Sequence, residues 1–329
     1  ILLAGLLALA LAPGTFVRSE ILPPDFHSPV AIAALDFEPA TSGPLVLDGA
    51  WKLTSANDHF GGYSALIAWK KDEFLAANDA GRLMHLPRPD RTSAAPRLDK
   101  FLNFERADKS HVDVESLTFD PKSGEVWAGL EWAQQIIRFS PRLQMRAQVR
   151  PDEMKGWGGN SGPESLVRLK DGRFVVIEEQ ASGKGLHEAL VFPHDPTTGV
   201  EPVRFTFQAR PGYRPADATL LPNGKMAVLL RGFRLALPPR FPALLVIADP
   251  EAIREGKVLD SRFLARIDRP FPSDNYEGLA VTAERDGIWN LWLISDDNFA
   301  SYQNTLLIKL RWDVGGGRKS AQARQKARR

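Results

Sequence analysis

The sequence of 329 residues contains no cysteine. Disulfides, thiolate catalysis, cysteine-ligated zinc and a lipid-modified cysteine are excluded with it. No Walker or dinucleotide-binding glycine motif is present. Gly159-Asn160-Ser161-Gly162 lacks the pattern of a hydrolase nucleophile elbow. The six histidines, His27, His59, His85, His111, His187 and His194, have no metal-type spacing. Long helical periodicity is missing, and so is any basic patch interleaved with aromatics, so nucleic acid is not an expected partner. The apolar run Ile1–Ala12 is too short to span a bilayer, which takes roughly 20 residues. It fits the apolar core of a secretory signal, with Ala10-Leu11-Ala12 as the small-residue cleavage site. A periplasmic or secreted bacterial protein with no stable membrane span after processing is therefore expected.

An excess of one charge sign is missing once the C-terminus is set aside. The net charge of +2 rests on a tail that carries Arg318, Lys319, Arg324, Lys326, Arg328 and Arg329 and no acid. Without it, 36 basic residues face 40 acidic ones, and the body is mildly acidic. Hydrophobic residues at 43% and charged residues at 25% suffice for one large core. The chain is read as a leader over residues 1–22, one domain over 23–312, and a basic, solvated tail over 313–329.

What is present in abundance is repetition. Val114-Glu115-Ser116-Leu117, Pro163-Glu164-Ser165-Leu166, Ala216-Asp217-Ala218-Thr219 and Tyr276-Glu277-Gly278-Leu279 share one phrase, and Tyr63-Ser64-Ala65-Leu66 is a copy without the acid. Each copy leads into an apolar run, a turn and a second apolar run. Asp171-Gly172 and Asn223-Gly224 are hairpin turns between such runs. A period of roughly 50 residues with short strands predicts an all-β β-propeller of four-stranded blades. Five blades are counted, and a sixth could be assembled only from Pro29–Ser55. The last unit ends with Thr305–Trp312 and lacks an outer strand, so an N-terminal strand, Leu45–Leu53, is expected to close the ring and remove its free edge.

In an antiparallel hairpin the start of one strand lies beside the end of the next. The repeated acids should therefore share a face with Asp79, Glu131, Glu178-Glu179, Arg231 and Asp296-Asp297-Asn298. Carboxylates this dense cannot all stay ionised without a cation, basic partners or raised pKa values. Acids at equivalent positions can instead cap backbone amides of a neighbouring blade. The three oxygen-bearing groups of Asp296-Asp297-Asn298 favour a cation. Glu115, Glu164, Asp217, Glu277 and Asp296 are the expected metal ligands and Ca²⁺ the expected ion. Glu131 or Asp297 is the expected general base. Arg231, with Arg214 and Lys184, is expected to hold an anionic group, and Trp132 to line the cleft.

These residues carry a resemblance. Phe60-Gly61-Gly62-x-Ser64, Asp113-Val114-Glu115-Ser116-Leu117-x-Phe119-Asp120, Asn160 with Glu164-Ser165-Leu166, Arg214-Pro215-x-Asp217-Ala218, Asn275-Tyr276-Glu277-Gly278-Leu279-Ala280, Ser295-Asp296-Asp297-Asn298-Phe299 and Gln303-Asn304-Thr305-Leu306-Leu307 resemble the phytase-like propeller family, "esterase-like activity of phytase". The resemblance runs from about Leu45 to Trp312. It implies an exported bacterial propeller that hydrolyses a phosphate ester or small ester. A small, anionic substrate and a monomer are expected. Two rival readings stand beside it. One is a non-catalytic binding propeller of the cell envelope. The other is a lactonase, which would use Asn57, Asn160 or Asn298 as ligands beside the acids.

Overall fold

The computed structural model describes residues 23–102, 113–159, 161–237, 239–285, 287–300 and 303–315. The leader over 1–22, the tail from 316, His111 and Asn160 lie outside them. Among the described residues the chain forms strands and short 3₁₀ turns, and no helix is long and apolar enough to cross a membrane.

Three N-terminal strands, β1 (Ala31–Ala34), β2 (Thr41–Ser42) and β3 (Leu45–Thr54), precede the blades. Blade 1 is β4 (Tyr63–Lys70), β5 (Glu73–Asn78), β6 (Arg82–Pro87) and β7 (Arg97–Lys100). Blade 2 is β8 (Val114–Phe119), β9 (Val126–Leu130), β10 (Gln135–Phe139) and β11 (Met145–Val149). Blade 3 is β12 (Ser165–Arg168), β13 (Phe174–Ala181), β14 (Leu186–Phe192) and β15 (Val203–Gln208). Blade 4 is β16 (Tyr213–Leu220), β17 (Met226–Gly232), β18 (Ala243–Ala248) and, after the short β19 (Val258–Leu259), β20 (Ser261–Ile267). β19 lies parallel to β15 at the edge of blade 3. Blade 5 is β21 (Asn275–Ala283), β22 (Ile288–Asp296) and β23 (Thr305–Asp313), completed by β3.

The innermost strands β4, β8, β12, β16 and β21 pack on one another in turn, and β21 packs back on β4. This is a five-bladed β-propeller. Interior strands such as Ala243–Ala248 are buried along their whole length. They are covered by a blade on each side, so they read as continuous apolar runs without alternation. The hairpin turns behave as their sequences require: Gly172 and Gly224 take φ of 96° and 86°, and their amides close the turns on Leu169 and Leu221.

The strand expected to close the ring does so, with β3 pairing antiparallel to β23. Thr305 faces Leu53 and Trp312 faces Leu45, with one bulge between Lys309 and Leu310. β1 and β2 add to the outer side of β3 in the same sheet. The segment Pro29–Ser55 is therefore the rim of the fifth blade and forms no sixth.

Candidate functional site

The chemistry collects at the end of the propeller where inner strands start and second strands finish. In four blades the inner strand carries a β-bulge at its start. Val114 and Ser116 face Leu130 and Gly129, which leaves Glu115 as the extra residue. Glu277 is extruded in the same way between Tyr276 and Gly278, Ser64 between Tyr63 and Ala65, and Ala216 between Pro215 and Asp217. Glu164 directly precedes β12 at the corresponding place. A bulge turns one residue out of the ladder; it brings Glu115 and Glu277 into electrostatic reach of each other and of Glu164, which stands ahead of its strand.

A second tier comes from the ends of the second strands. Backbone bonds join Asp79 to Gly62, Glu131 to Asp113, and Glu179 to Gly162, while Arg231 pairs with Arg214 and Asp296 with Asn275. Asp79, Glu131, Glu179, Arg231 and Asp296 are thus equivalent, four acids and one guanidinium. Arg231 joins the tiers across three blades. One arm donates to Glu277 of blade 5, and the other donates to Glu179 of blade 3 at 2.7 Å. Asn275 supports it by donating to Glu277 at 2.8 Å.

The acids are buried, and burial sets their proton affinity. Burial, then the charges of Glu164, Asp113, Glu277 and Glu131, push Glu115 well above the usual carboxyl range. Glu164 is raised by burial, Glu179 and Glu131, against the pull of Arg231. Glu277 is raised because its burial outweighs Arg231 and Asn275. Asp296 is pushed from 3.8 up to about 8 by burial, followed by Glu277, Asp79 and Asp297. Asp113, Glu115 and Glu131 bring carboxylate oxygens within 4.8 Å of one another, all three buried. This triad could hold a cation.

Beside Arg231 lies a cavity of about 650 Å³ lined by Glu179, Lys184, Tyr213, Arg214, Phe233 and Phe241. Arg231, Arg214 and Lys184 share this cavity, and Arg214 also pairs with Glu179 at 3.3 Å. Trp132 is 42% exposed, packs over Gly159 and does not line this cavity.

Other expected site residues are placed elsewhere. Asp217 sits one position past the bulge that aligns with Glu115, so its side chain leaves the ring and enters the wedge between blades. There it accepts from the amides of Leu279 at 2.7 Å and of Ala218. Its carboxyl is raised well above 3.8 by burial, and no ring acid contributes. Asp297 organises a loop: Oδ1 accepts from the amides of Gly62 and Phe299, and Oδ2 accepts from the Thr305 hydroxyl. Glu178 turns away from its neighbour Glu179 to accept from the Ser161 hydroxyl. The Asn57 amide is held at the N-terminal segment by Ser28 and His59, and exposed Asn298 donates to Gln303. Sequence reasoning had left Asp113, Glu179 and Asn275 without roles. The spacing Asp113-x-Glu115 was the available signal for the first.

The position of Asp217 has a mechanical consequence. Asp217→Ala leaves two buried amides without their acceptor, at about 1–3 kcal/mol each. The variant should lose roughly 2–6 kcal/mol in urea unfolding with metal uptake unchanged. A variant as stable as the parent would show that the wedge bonds contribute nothing.

A model of the Phytase-like family, described as "Esterase-like activity of phytase", matches residues 58–299. No curated protein matches the sequence. Among solved structures the chain is similar to hydrazine synthase of Kuenenia stuttgartiensis, at 13% identity over 75% of this chain and 62% of that one, with a TM-score of 0.40. It is similar to a luciferin-regenerating enzyme at 11% identity, covering 85% and 95%, with a TM-score of 0.44. It is similar to regucalcin, a calcium-binding protein from Agrobacterium tumefaciens str. C58, at 14% identity, covering 89% and 97%, with a TM-score of 0.42. The chain spans less than two thirds of the hydrazine synthase chain.

Proposed function

We propose that this chain, which belongs to the phytase-like family described as esterase-like activity of phytase, hydrolyses a phosphate ester or another small anionic ester at the acid-lined mouth of its channel. The observation that carries this reading is a buried triad of carboxylates linked electrostatically through Glu164 to Glu179 and Arg231, which line a cavity with cationic and aromatic walls. The donor chemistry fits a hard divalent cation: Asp113, Glu115 and Glu131 offer three oxygens close together and no soft ligand. These three would hold the ion, with Ca²⁺ as the assigned species. When bound, it supplies Lewis-acid polarisation of an ester oxygen.

The remaining work belongs to the chain itself. Arg231 is fixed at both arms by Glu277 and Glu179, so its fork is pre-aimed, and 29% of its side chain stays exposed. It holds the anionic group together with Arg214 and Lys184. Tyr213, Phe233 and Phe241 wall the cavity and displace water from it. Asp296, protonated at neutral pH, is the group that can give a proton to a departing oxygen. The apolar run Ile1–Ala12 supports placing this activity outside the cytoplasm.

The test is metal analysis followed by a panel of phosphomonoester, carboxylic ester and lactone substrates. Turnover on at least one ester class is expected, with a divalent ion bound. Glu131→Gln should lower turnover by about 10²-fold or more and weaken metal uptake, while Asp72→Asn in a surface turn should do neither. The binding-propeller reading draws support from Asp217 and Asp297, both engaged by backbone amides. It gains the lead if metal-loaded protein turns over nothing in the panel. Calorimetry that detects no divalent binding would remove the cation from the mechanism.

A further inference from the structure

Blade 4 raises a loop beside the cavity, on the same end of the propeller as the acid rings. Arg234 and Arg240 exchange both backbone hydrogen bonds, at 2.8 and 3.1 Å, and so form a tight neck. The rings of Phe233 and Phe241 sit 5.8 Å apart at its base. Held out beyond the neck, Leu235 is 90% exposed and Leu237 fully so. Singly exposed apolar residues are ordinary, but a pre-formed apolar tip is not.

The tip has a cationic collar. Arg234 and Arg240 are exposed, and neither has a carboxylate within ion-pair distance among the described residues. Lys184 and Arg210, on neighbouring loops of the same face, are exposed and equally unpaired among those residues. The same end also projects Trp132 from blade 2 and Phe299 from blade 5, the latter 53% exposed. Apolar residues at a tip with guanidinium groups behind them, on a face that also exposes aromatics, match the composition of a lipid interface. A stable protein interface needs on the order of 800 Å² from each partner. A narrow convex tip of two leucines and a half-exposed phenylalanine offers far less.

We propose that this face docks on an anionic lipid surface. Leu235 and Leu237 enter the acyl boundary, and Arg234 and Arg240 engage lipid phosphates. The cavity beneath Phe233 and Phe241 then opens toward the headgroup layer. This stands apart from the hydrolytic reading, because it is read by binding alone.

The experiment is co-sedimentation of the full chain with vesicles of phosphatidylcholine alone and of equimolar phosphatidylcholine and phosphatidylglycerol. The parent should bind the anionic vesicles at least tenfold more tightly, about the effect of two or more interfacial cations. Leu235→Asp with Leu237→Asp should lose at least tenfold in affinity for them. Arg234→Gln with Arg240→Gln should remove most of the preference for anionic lipid. All four positions are exposed, so melting curves should match the parent and confirm that each variant folds. Absence of parent binding to either vesicle, or undiminished binding by the leucine variant, overturns the proposal. If light scattering shows instead that the parent self-associates, that the leucine variant is monomeric and that vesicles are ignored, the tip is a contact between copies of the chain and the proposal falls.

Discussion

Deleting the chain through Ser55 should leave a protein that does not fold. β3 places Leu45, Leu47, Ala50 and Leu53 in the core, each at most 5% exposed. The first three join the cluster shared with blades 4 and 5, and Leu53 joins the one shared with blade 1. Losing a single buried leucine costs about 2–5 kcal/mol, and a whole domain holds only about 5–15 kcal/mol in total. The deletion removes three leucines together. It also strips Trp51 from its stack on Trp292 and leaves β23 as an open edge in the middle of a closed ring. Circular dichroism and limited proteolysis should report loss of the cooperative melt everywhere. Deletion through Leu22, which removes none of these contacts, should melt like the parent. A protein lacking residues 1–55 that melts within a few degrees of the parent would refute closure as the source of stability.

The closure was legible because it is a problem of counting: the last unit ends one strand short, and Leu45–Leu53 is the apolar segment left over. Hairpins were legible because Asp171-Gly172 and Asn223-Gly224 specify their turns chemically. The site was legible only as a face. Which acids converge depends on the bulges, and a bulge leaves little trace in a motif. Aligned by its acid, Asp217 matches Glu115; aligned by the backbone, Ala216 does. Since strand side chains alternate, that single step sends the carboxylate to the other side. The adjacent pair Glu178-Glu179 is divided for a related reason, because each points to its own side of β13. Arg231 could be named from its place at the end of a strand, but its bonds to blades 3 and 5 are tertiary and carry no local signal.

The largest solution effect should come from the raised carboxyls. Asp296 is held at about 8 in the folded protein against an ordinary 3.8, and Glu178 at about 7 against 4.5, mainly by burial. A carboxyl raised on folding favours the native state fully below its unfolded pKa and loses that contribution as pH rises through its folded one. For Asp296 this amounts to roughly 6 kcal/mol lost between about pH 4 and pH 8, and the half-screened Glu178 adds a smaller loss completed by about pH 7. Glu115, Glu164 and Glu277 are shifted in the same direction. The ion-free protein should therefore weaken steadily from pH 5 to pH 8.5, the reverse of ordinary acid denaturation. A shift of this size corresponds to about 10 °C or more in Tm for a domain this large. A divalent cation at the Asp113, Glu115 and Glu131 oxygens supplies the missing counter-charge and stabilises by mass action. Chelator should steepen the fall at high pH, and millimolar Ca²⁺ should reverse most of it. Glu277→Gln removes one of the converging charges with little change in shape, and should flatten the profile and weaken Ca²⁺ affinity together. Asp72→Asn should change neither. Calorimetric melts across this range, with and without chelator, decide the matter. A flat profile that ignores both chelator and Ca²⁺ would mean that Arg231 and the backbone amides already balance the ring, and that no ion is needed there.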